Sequence, residues 1–179
     1  MTWLDTYSEI AGVRLNMVAN GDRALVGPDG SSRSISNATD RELIVQLRSI
    51  SDVYVTGGNT ARNEHYKTPT IGKLAIISRS KLTDENQIWL NPPVNENLAS
   101  WSIGELQKLG YQSILLEVGP SLARAFLGAD CVDEFCLTIT EGNLETAEAV
   151  VADLGGRLVL AEHFEVAGTL FTTWRRGNE

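Results

Sequence analysis

The chain has 179 residues, 42% hydrophobic and 21% charged, with a formal net charge of -8. That length supports one domain, residues 1–179, with a full core, and the composition is that of a soluble globular protein. So acidic a chain is a poor partner for nucleic acid or an anionic membrane, which demand a cationic face. A small phosphorylated ligand needs only a local positive site.

No charged-then-apolar leader and no apolar run of about 18 residues appears, so neither secretion nor a membrane span is expected and the compartment is read as the cytoplasm. The two cysteines, Cys131 and Cys136, fit free thiols in a reducing compartment better than a disulfide framework.

Residues 1–11 form an arm. Val13, Leu15 and Met17 alternate with polar neighbours and predict a first strand over 13–19, ended by Asn20-Gly21-Asp22. Residues 26–36 are rich in Gly, Ser, Asp and Pro and predict a long polar loop. Thr39 and Glu42 have capping-box spacing, and Leu43, Ile44, Leu47 and Ile50 follow at helical intervals, so a helix is expected over 40–49. Val53–Val55 reads as a short buried strand, running into Thr56-Gly57-Gly58-Asn59-Thr60 and a short helix over 61–66. Leu74–Ile77 is a third strand, ending in Ser78-Arg79-Ser80, and 87–90 a fourth. Ser102 is the expected cap of a helix that turns Ile103, Leu106 and Leu109 inward and closes at Gly110.

Ile114-Leu115-Leu116 is an unbroken apolar run that ends on Glu117 and breaks at Gly119-Pro120. A helix with Leu122, Ala125 and Phe126 on one face follows. Pro120 suits a first helical position, where its missing N–H costs nothing. A strand at 134–139, a helix at 144–154 and strands at 157–160 and 168–174 complete the chain. Asp133-Glu134 reads as a turn before its strand. Alternating strands and helices imply an α/β fold with a mostly parallel central sheet and helices on both faces; the last two strands imply an antiparallel edge.

Ligands of such sheets bind beyond the carboxyl ends of the strands. Three strand ends there carry suggestive chemistry. Gly57-Gly58-Asn59-Thr60 offers backbone N–H groups and a hydroxyl. Ser78-Arg79-Ser80 offers a guanidinium between two hydroxyls, either a grip for a dianionic phosphate or a solvated arginine. Gly119-Pro120-Ser121 offers a helix N-terminus, either an ordinary strand–helix turn or a phosphate seat. If the three converge, they clasp a dinucleotide, with Arg79 on a 2′-phosphate selecting NADPH. The usual G-x-G-x-x-G fingerprint is absent, which disfavours an ordinary Rossmann domain. His65 and His163 lack ligand partners, so no metal site is expected.

The order of motifs resembles the reductase domain of riboflavin biosynthesis, in its stand-alone form. The motifs are Met17-Val18-Ala19-Asn20-Gly21-Asp22, Ser34-Ile35-Ser36 with Asp40, Leu47-Arg48 with Asp52-Val53, Gly57 to Tyr66, Leu116 to Leu122, and Val132 to Phe135. The resemblance implies a dihydrofolate-reductase-like fold, NADPH as cofactor, reduction of a phosphoribosylamino-pyrimidine, and a homodimer, with Leu137, Ile139 and Phe171 in a dimer surface. Carried across, Gly57, Gly58, Thr60, Gly119, Pro120, Ser121 and Leu122 would contact cofactor. Ser78, Arg79 and Ser80 join them by their position at the end of the third strand. Asn20, Asp22 and the Ser34–Ser36 loop would border substrate.

Asp22 and Glu117 are the carboxylates that could donate a proton, with ordered water as the alternative; each could instead be a structural acceptor for backbone donors. The chain departs from the family at Asn20-Gly21-Asp22-Arg23, usually Ser-Leu-Asp-Gly, and at Glu117-Val118-Gly119-Pro120, usually Glu-Gly-Gly-Pro. The second departure is expected to put a Cβ beside the cofactor track. Two further readings stand beside the reductase: a nucleotide-binding module of the same fold without turnover, and a dihydrofolate-reductase-like enzyme of another substrate. The latter is disfavoured for want of an acidic residue in the expected helix after a Trp-rich strand end.

Overall fold

A computed structural model of the chain describes residues 2–63, 73–80 and 86–177. Its strands are β1 (Gly12–Ala19), β2 (Val53–Gly57), β3 (Lys73–Ile77), β4 (Ile88–Leu90), β5 (Ser113–Leu116), β6 (Glu134–Ile139), β7 (Leu158–Val166) and β8 (Thr169–Arg176). Its helices are α1 (Ala38–Ser49), α2 (Gly58–Asn63), α3 (Leu98–Lys108), α4 (Pro120–Gly128) and α5 (Leu144–Leu154). The strands form a single sheet in the order β4-β3-β2-β5-β1-β6-β8-β7. The first six in that order pair in parallel, and β8 and β7 join antiparallel.

Parallel strands covered on both faces must be apolar on both faces. β5 meets that demand: Ile114 and Leu116 join one core cluster with Ile103, Leu106, Phe126 and Val150 of α3, α4 and α5, while Leu115 joins the other, with Leu43 and Leu47 of α1. The N-terminal arm closes the second face. Tyr7 is buried there, and the Trp3 ring lies 4.7 Å from that of Phe171.

Several boundaries differ from the sequence reading. Asn37, not Thr39, caps α1: its side chain accepts from the Asp40 N–H at 2.9 Å. Asn is as good a cap as any and starts the helix two residues earlier. Asn97 caps α3 in the same way, which leaves Ser102 inside the helix and buried. Leu109 is the C-cap residue, beyond the last inward turn, and is 61% exposed. Gly110 does close that helix, with φ 94°. Strand β7 runs on to Val166 because its ladder with β8 continues to the tight turn at Ala167-Gly168; a register shift between Leu160 and Glu162 hides the alternation. α2 starts directly at Gly58, and the expected helix residues 64–66, with His65, lie outside the described residues.

Two readings are corrected by burial. Leu137, Ile139 and Phe171 are at most 1% exposed inside the one chain, so they supply core and not a dimer surface. Glu134 is no turn residue. It opens β6, buried, with Oε1 accepting from Arg14 Nε at 2.6 Å and Oε2 from Arg175 Nε at 2.8 Å.

Candidate active-site cleft

β3, β2 and β5 are parallel neighbours, so their carboxyl ends share one sheet edge. The turns after them touch. A Cβ added to Gly57 would lie 2.7 Å from Leu122 Cδ1, and one added to Gly58 would lie 2.9 Å from Ser78 Oγ. One added to Gly119 would lie 3.4 Å from Thr60 Oγ1. The glycines therefore occupy places where a side chain would fill the gap between turns.

These turns form one wall of an open cleft of about 1700 Å³. Gly57, Gly58 and Thr60 line it from the first turn, and Ser78, Arg79 and Ser80 from the second. Gly119, Pro120, Ser121 and Leu122 line it from the third. Pro120 opens α4, and the N-cap Gly119 offers no side chain to the helix end, so the first-turn N–H groups face a ligand without competition. The Ser78 turn is fixed from β4: Trp89 Nε1 donates to the Ser78 carbonyl at 2.7 Å, and the Ser78 N–H donates to Leu90 O at 2.9 Å. Backbone donors, hydroxyls and a guanidinium at close-packed glycines fit a dinucleotide's phosphates.

The floor of the cleft is polar in a way the sequence reading did not anticipate. Glu117, 7% exposed at its side chain, accepts from Arg48 Nε at 2.7 Å and from Arg48 Nη2 at 2.5 Å. The Arg48 guanidinium also lies 4.7 Å from the centroid of the Tyr54 ring. Asp40, in the first turn of α1, is wholly buried. Ser36 Oγ donates to its Oδ2 at 2.7 Å, whereas Oδ1 has no hydrogen-bond partner among the described residues. Burial pushes the Asp40 carboxyl above the ordinary carboxylate range, against the Ser36 and Thr138 hydroxyls and Arg41, which pull the other way; the nearby Glu117 charge adds to the rise. Asn16, on β1, is also buried and also leaves its Oδ1 unpaired. All of these side chains except Thr138 line the cleft, as do Arg33, Arg41, Arg62 and Arg79. The strongly acidic chain thus places five of its eleven arginines along the cleft, where they favour an anionic ligand.

Three expected substrate-side residues lie elsewhere. Asn20 closes its own turn, accepting from the N–H groups of Asp22 at 3.1 Å and Ala24 at 2.9 Å. That turn packs on the loop after β6, so closely that a Cβ on Gly21 would lie 2.3 Å from Glu141 O. Asp22 is exposed there and, like Asn20, does not line the cleft. Ser34 donates to Asp29 at 2.6 Å within its own loop and is also outside the lining, whereas Ser36 is in it. Val118 lines the cleft between Glu117 and Gly119, although it is 5% exposed and packed into the main core cluster.

Asp40 and Arg48 were legible as members of a motif order, but nothing local marks their roles. Their partners are a loop serine and a carboxylate from a different strand end. Among the described residues no group of three or more His, Cys, Asp or Glu could hold a metal, and no helix is long and apolar enough to cross a membrane.

A parallel sheet with an antiparallel carboxyl-terminal edge, helices on both faces and a glycine-walled cleft is the dihydrofolate-reductase-like fold. Within that fold the chain has the architecture seen in pyrimidine reductases of riboflavin biosynthesis. It superposes on a pyrimidine reductase-like protein from Corynebacterium diphtheriae with a TM-score of 0.74 and 19% identity, covering 94% of this chain and 93% of that one. With the riboflavin biosynthesis reductase Rib7 of Saccharomyces cerevisiae the TM-score is 0.65 at 12% identity, over 96% and 93% of the two chains. With dihydrofolate reductase from Enterococcus faecalis, solved with NADP(H), it is 0.64 at 9% identity, over 96% and 100%. No family model matches the sequence, and no curated protein matches it.

Proposed function

We propose that this chain is an NADPH-dependent reductase of a phosphoribosylamino-pyrimidine or a closely related small phosphorylated heterocycle. The observation that carries this reading is the mutual contact of the Gly57-Gly58, Ser78-Arg79-Ser80 and Gly119-Pro120-Ser121 turns along one cleft. Gly57, Gly58 and Thr60 and the α4 N-terminus, with Ser121 and Leu122, would hold the pyrophosphate; Arg79, between Ser78 and Ser80, would hold the 2′-phosphate. NADPH would supply the hydride.

The chain's own residues supply position and charge. Arg48 fixes Glu117 at the end of β5, beside the track expected for the nicotinamide, and so holds that carboxylate to a structural geometry. Asp40 is the cleft carboxyl whose environment favours keeping a proton, which suits it to deliver, directly or through water, the proton taken up by the nitrogen or oxygen of the C=N or ring-opened carbonyl whose carbon receives the hydride. We assign that task to Asp40 rather than to Asp22, which is exposed and does not line the cleft. Ser36 holds Asp40 and borders the substrate end of the cleft. The fold's similarity to riboflavin-pathway reductases supports the substrate class, and the same reading makes the protein a cytoplasmic homodimer acting on a small molecule rather than on nucleic acid or a membrane.

Titration of the purified chain with NADPH, followed by cofactor fluorescence, tests this. Saturable binding at micromolar concentrations is expected; no binding at hundreds of micromolar sinks the reading. One observation favours a second possibility, a nucleotide-binding module without turnover: the Asp22 of the altered Asn20–Arg23 motif is outside the cleft. In that case NADPH binds and no pyrimidine or pterin substrate oxidises it.

A further inference from the structure

Trp89 stands apart from the other large side chains of the sheet. It lies on β4, an edge strand, is 38% exposed and belongs to neither core cluster. Its indole N–H donates instead to the Ser78 carbonyl at 2.7 Å. β4 pairs with β3 through Ala75 and Ile88, Ile76 and Trp89, and Ile77 and Leu90. A side chain on a strand leans along it, which lets the indole reach past Ile77 to the first residue beyond β3.

That bond acts on one particular peptide plane. The Ser78 carbonyl and the Arg79 N–H belong to the same planar unit, so a donor on the oxygen fixes the direction in which the chain enters Arg79. The other anchors of Ser78 hold different atoms. Its N–H donates to Leu90 O at 2.9 Å, and its hydroxyl accepts from the Ser80 N–H at 3.2 Å. Arg79 is exposed and lines the cleft, and no ion pair among the described residues holds its guanidinium. Its aim is therefore set by its backbone. Trp89 does not line the cleft, so whatever it does for a ligand passes through that backbone.

We propose that Trp89 is a positioning residue for cofactor selectivity: by holding the Ser78–Arg79 peptide it aims the Arg79 guanidinium at the 2′-phosphate, and so makes the chain prefer NADPH to NADH. This rests on the reading of Arg79 as the 2′-phosphate anchor and deepens it. A charge-assisted bond is directional, and a displaced guanidinium loses it. The Gly119 turn, which would hold the pyrophosphate, follows β5, and β3 and β2 separate that strand from β4. The part of the cofactor common to NADPH and NADH is thus insulated from Trp89.

The test titrates the full chain with NADPH and with NADH, followed by cofactor fluorescence, in the parent, Trp89→Phe, Arg79→Ala and the double variant. Trp89→Phe keeps an aromatic ring on the edge strand and removes the donor. It should weaken NADPH binding about three- to tenfold, the scale of one well-made hydrogen bond, and leave NADH binding unchanged. Its melting temperature should stay close to the parent's, because water replaces the indole at a partly exposed residue. In the double variant the effect of Trp89→Phe should vanish, since with Arg79 gone there is no guanidinium to aim. A merely structural Trp89 would weaken both cofactors together and add its loss to that of Arg79→Ala.

An undiminished preference for NADPH in Trp89→Phe, an equal loss for both cofactors, or a loss that persists in the double variant overturns the proposal. If the parent chain itself shows no preference, the Arg79 assignment fails and the proposal falls with it. If Arg79→Ala abolishes the preference and Trp89→Phe leaves it intact, the 2′-phosphate anchor stands and only the role of Trp89 is lost.

Discussion

Arg48 and Glu117 are 69 residues apart in sequence and meet in a two-pronged ion pair beneath the cleft, with N···O distances of 2.7 and 2.5 Å. The pair fastens the end of α1 to the turn between β5 and α4, so that helix and that turn are held as one piece. The Glu117 backbone N–H also donates to Val55 O at 2.8 Å, which ties the same turn to β2.

Arg48→Ala should therefore destabilise the fold. It removes the Arg48 hydrogen bonds from a carboxylate that is only 7% exposed at its side chain. Arg48 itself is 35% exposed there, so the loss is expected at the lower end for a broken buried pair, about 2–3 kcal/mol. Urea denaturation measures it. Glu117→Gln, which leaves no stranded anion, should cost less. If the two variants unfold at the same urea concentration as the parent chain, the pair has no such role.

Glu134 joins two arginines, Arg14 and Arg175, and Arg14 is 2% exposed. Glu134→Ala leaves the Arg14 charge uncompensated in the sheet, with an expected loss of about 3–5 kcal/mol by chemical denaturation. Glu134 opens β6, which contributes no residue to the cleft lining, so the NADPH affinity of whatever protein remains folded should be unchanged.

Gly58→Ala tests the contact between turns. The new Cβ would lie 2.9 Å from Ser78 Oγ and 3.0 Å from Ser78 Cβ, and a β-carbon cannot swing aside as a long side chain would. The Gly58 and Ser78 turns must separate, costing about 1–3 kcal/mol of stability. Fluorescence titration should show NADPH affinity weakened by about tenfold or more, since phosphate contacts depend on backbone position.

Arg79→Ala separates the two nicotinamide cofactors. Removing a charge-assisted contact to a 2′-phosphate costs about 1.5–3 kcal/mol, or roughly ten- to a hundredfold in NADPH affinity. NADH, which lacks that phosphate, should bind parent and variant equally. A matching loss for both cofactors would show that Arg79 serves the fold and not the phosphate.

Asp40 gives stability a pH dependence opposite to that of most carboxylates. Burial raises its pKa above the ordinary 3.8, so the folded chain holds this proton more tightly than the unfolded chain. Its contribution to stability is then fully present below about pH 4 and is lost as pH rises through the folded-state value. Asp40→Asn removes the titration and keeps the Ser36 neighbour. Melting temperatures from pH 4 to 8 should show the variant gaining on the parent chain as pH rises. A constant difference across that range would contradict the assignment.

The local grammar of this chain was readable from its residues. The run Ile114-Leu115-Leu116 could only be a strand covered on both faces, because no exposed strand tolerates three large apolar side chains in a row. Gly119-Pro120 had to end it and begin a helix, and Gly57-Gly58 and Gly110 marked turns where backbone freedom or close approach was required. Cap identity was less legible, since Asn37 and Thr39 compete for one role and only the start of the hydrogen-bonded helix decides between them.

What the sequence could not supply was adjacency. The order β4-β3-β2-β5-β1-β6-β8-β7 brings Asn16, Asp40, Arg48 and Glu117 to one floor, although each looks ordinary among its own neighbours. The same order sends Asp22 outside, because its turn is held against Glu141 after β6. Secondary structure follows from short-range periodicity and backbone sterics. A site built from side chains on separate strands and helices exists only once long-range pairing has set which of them touch.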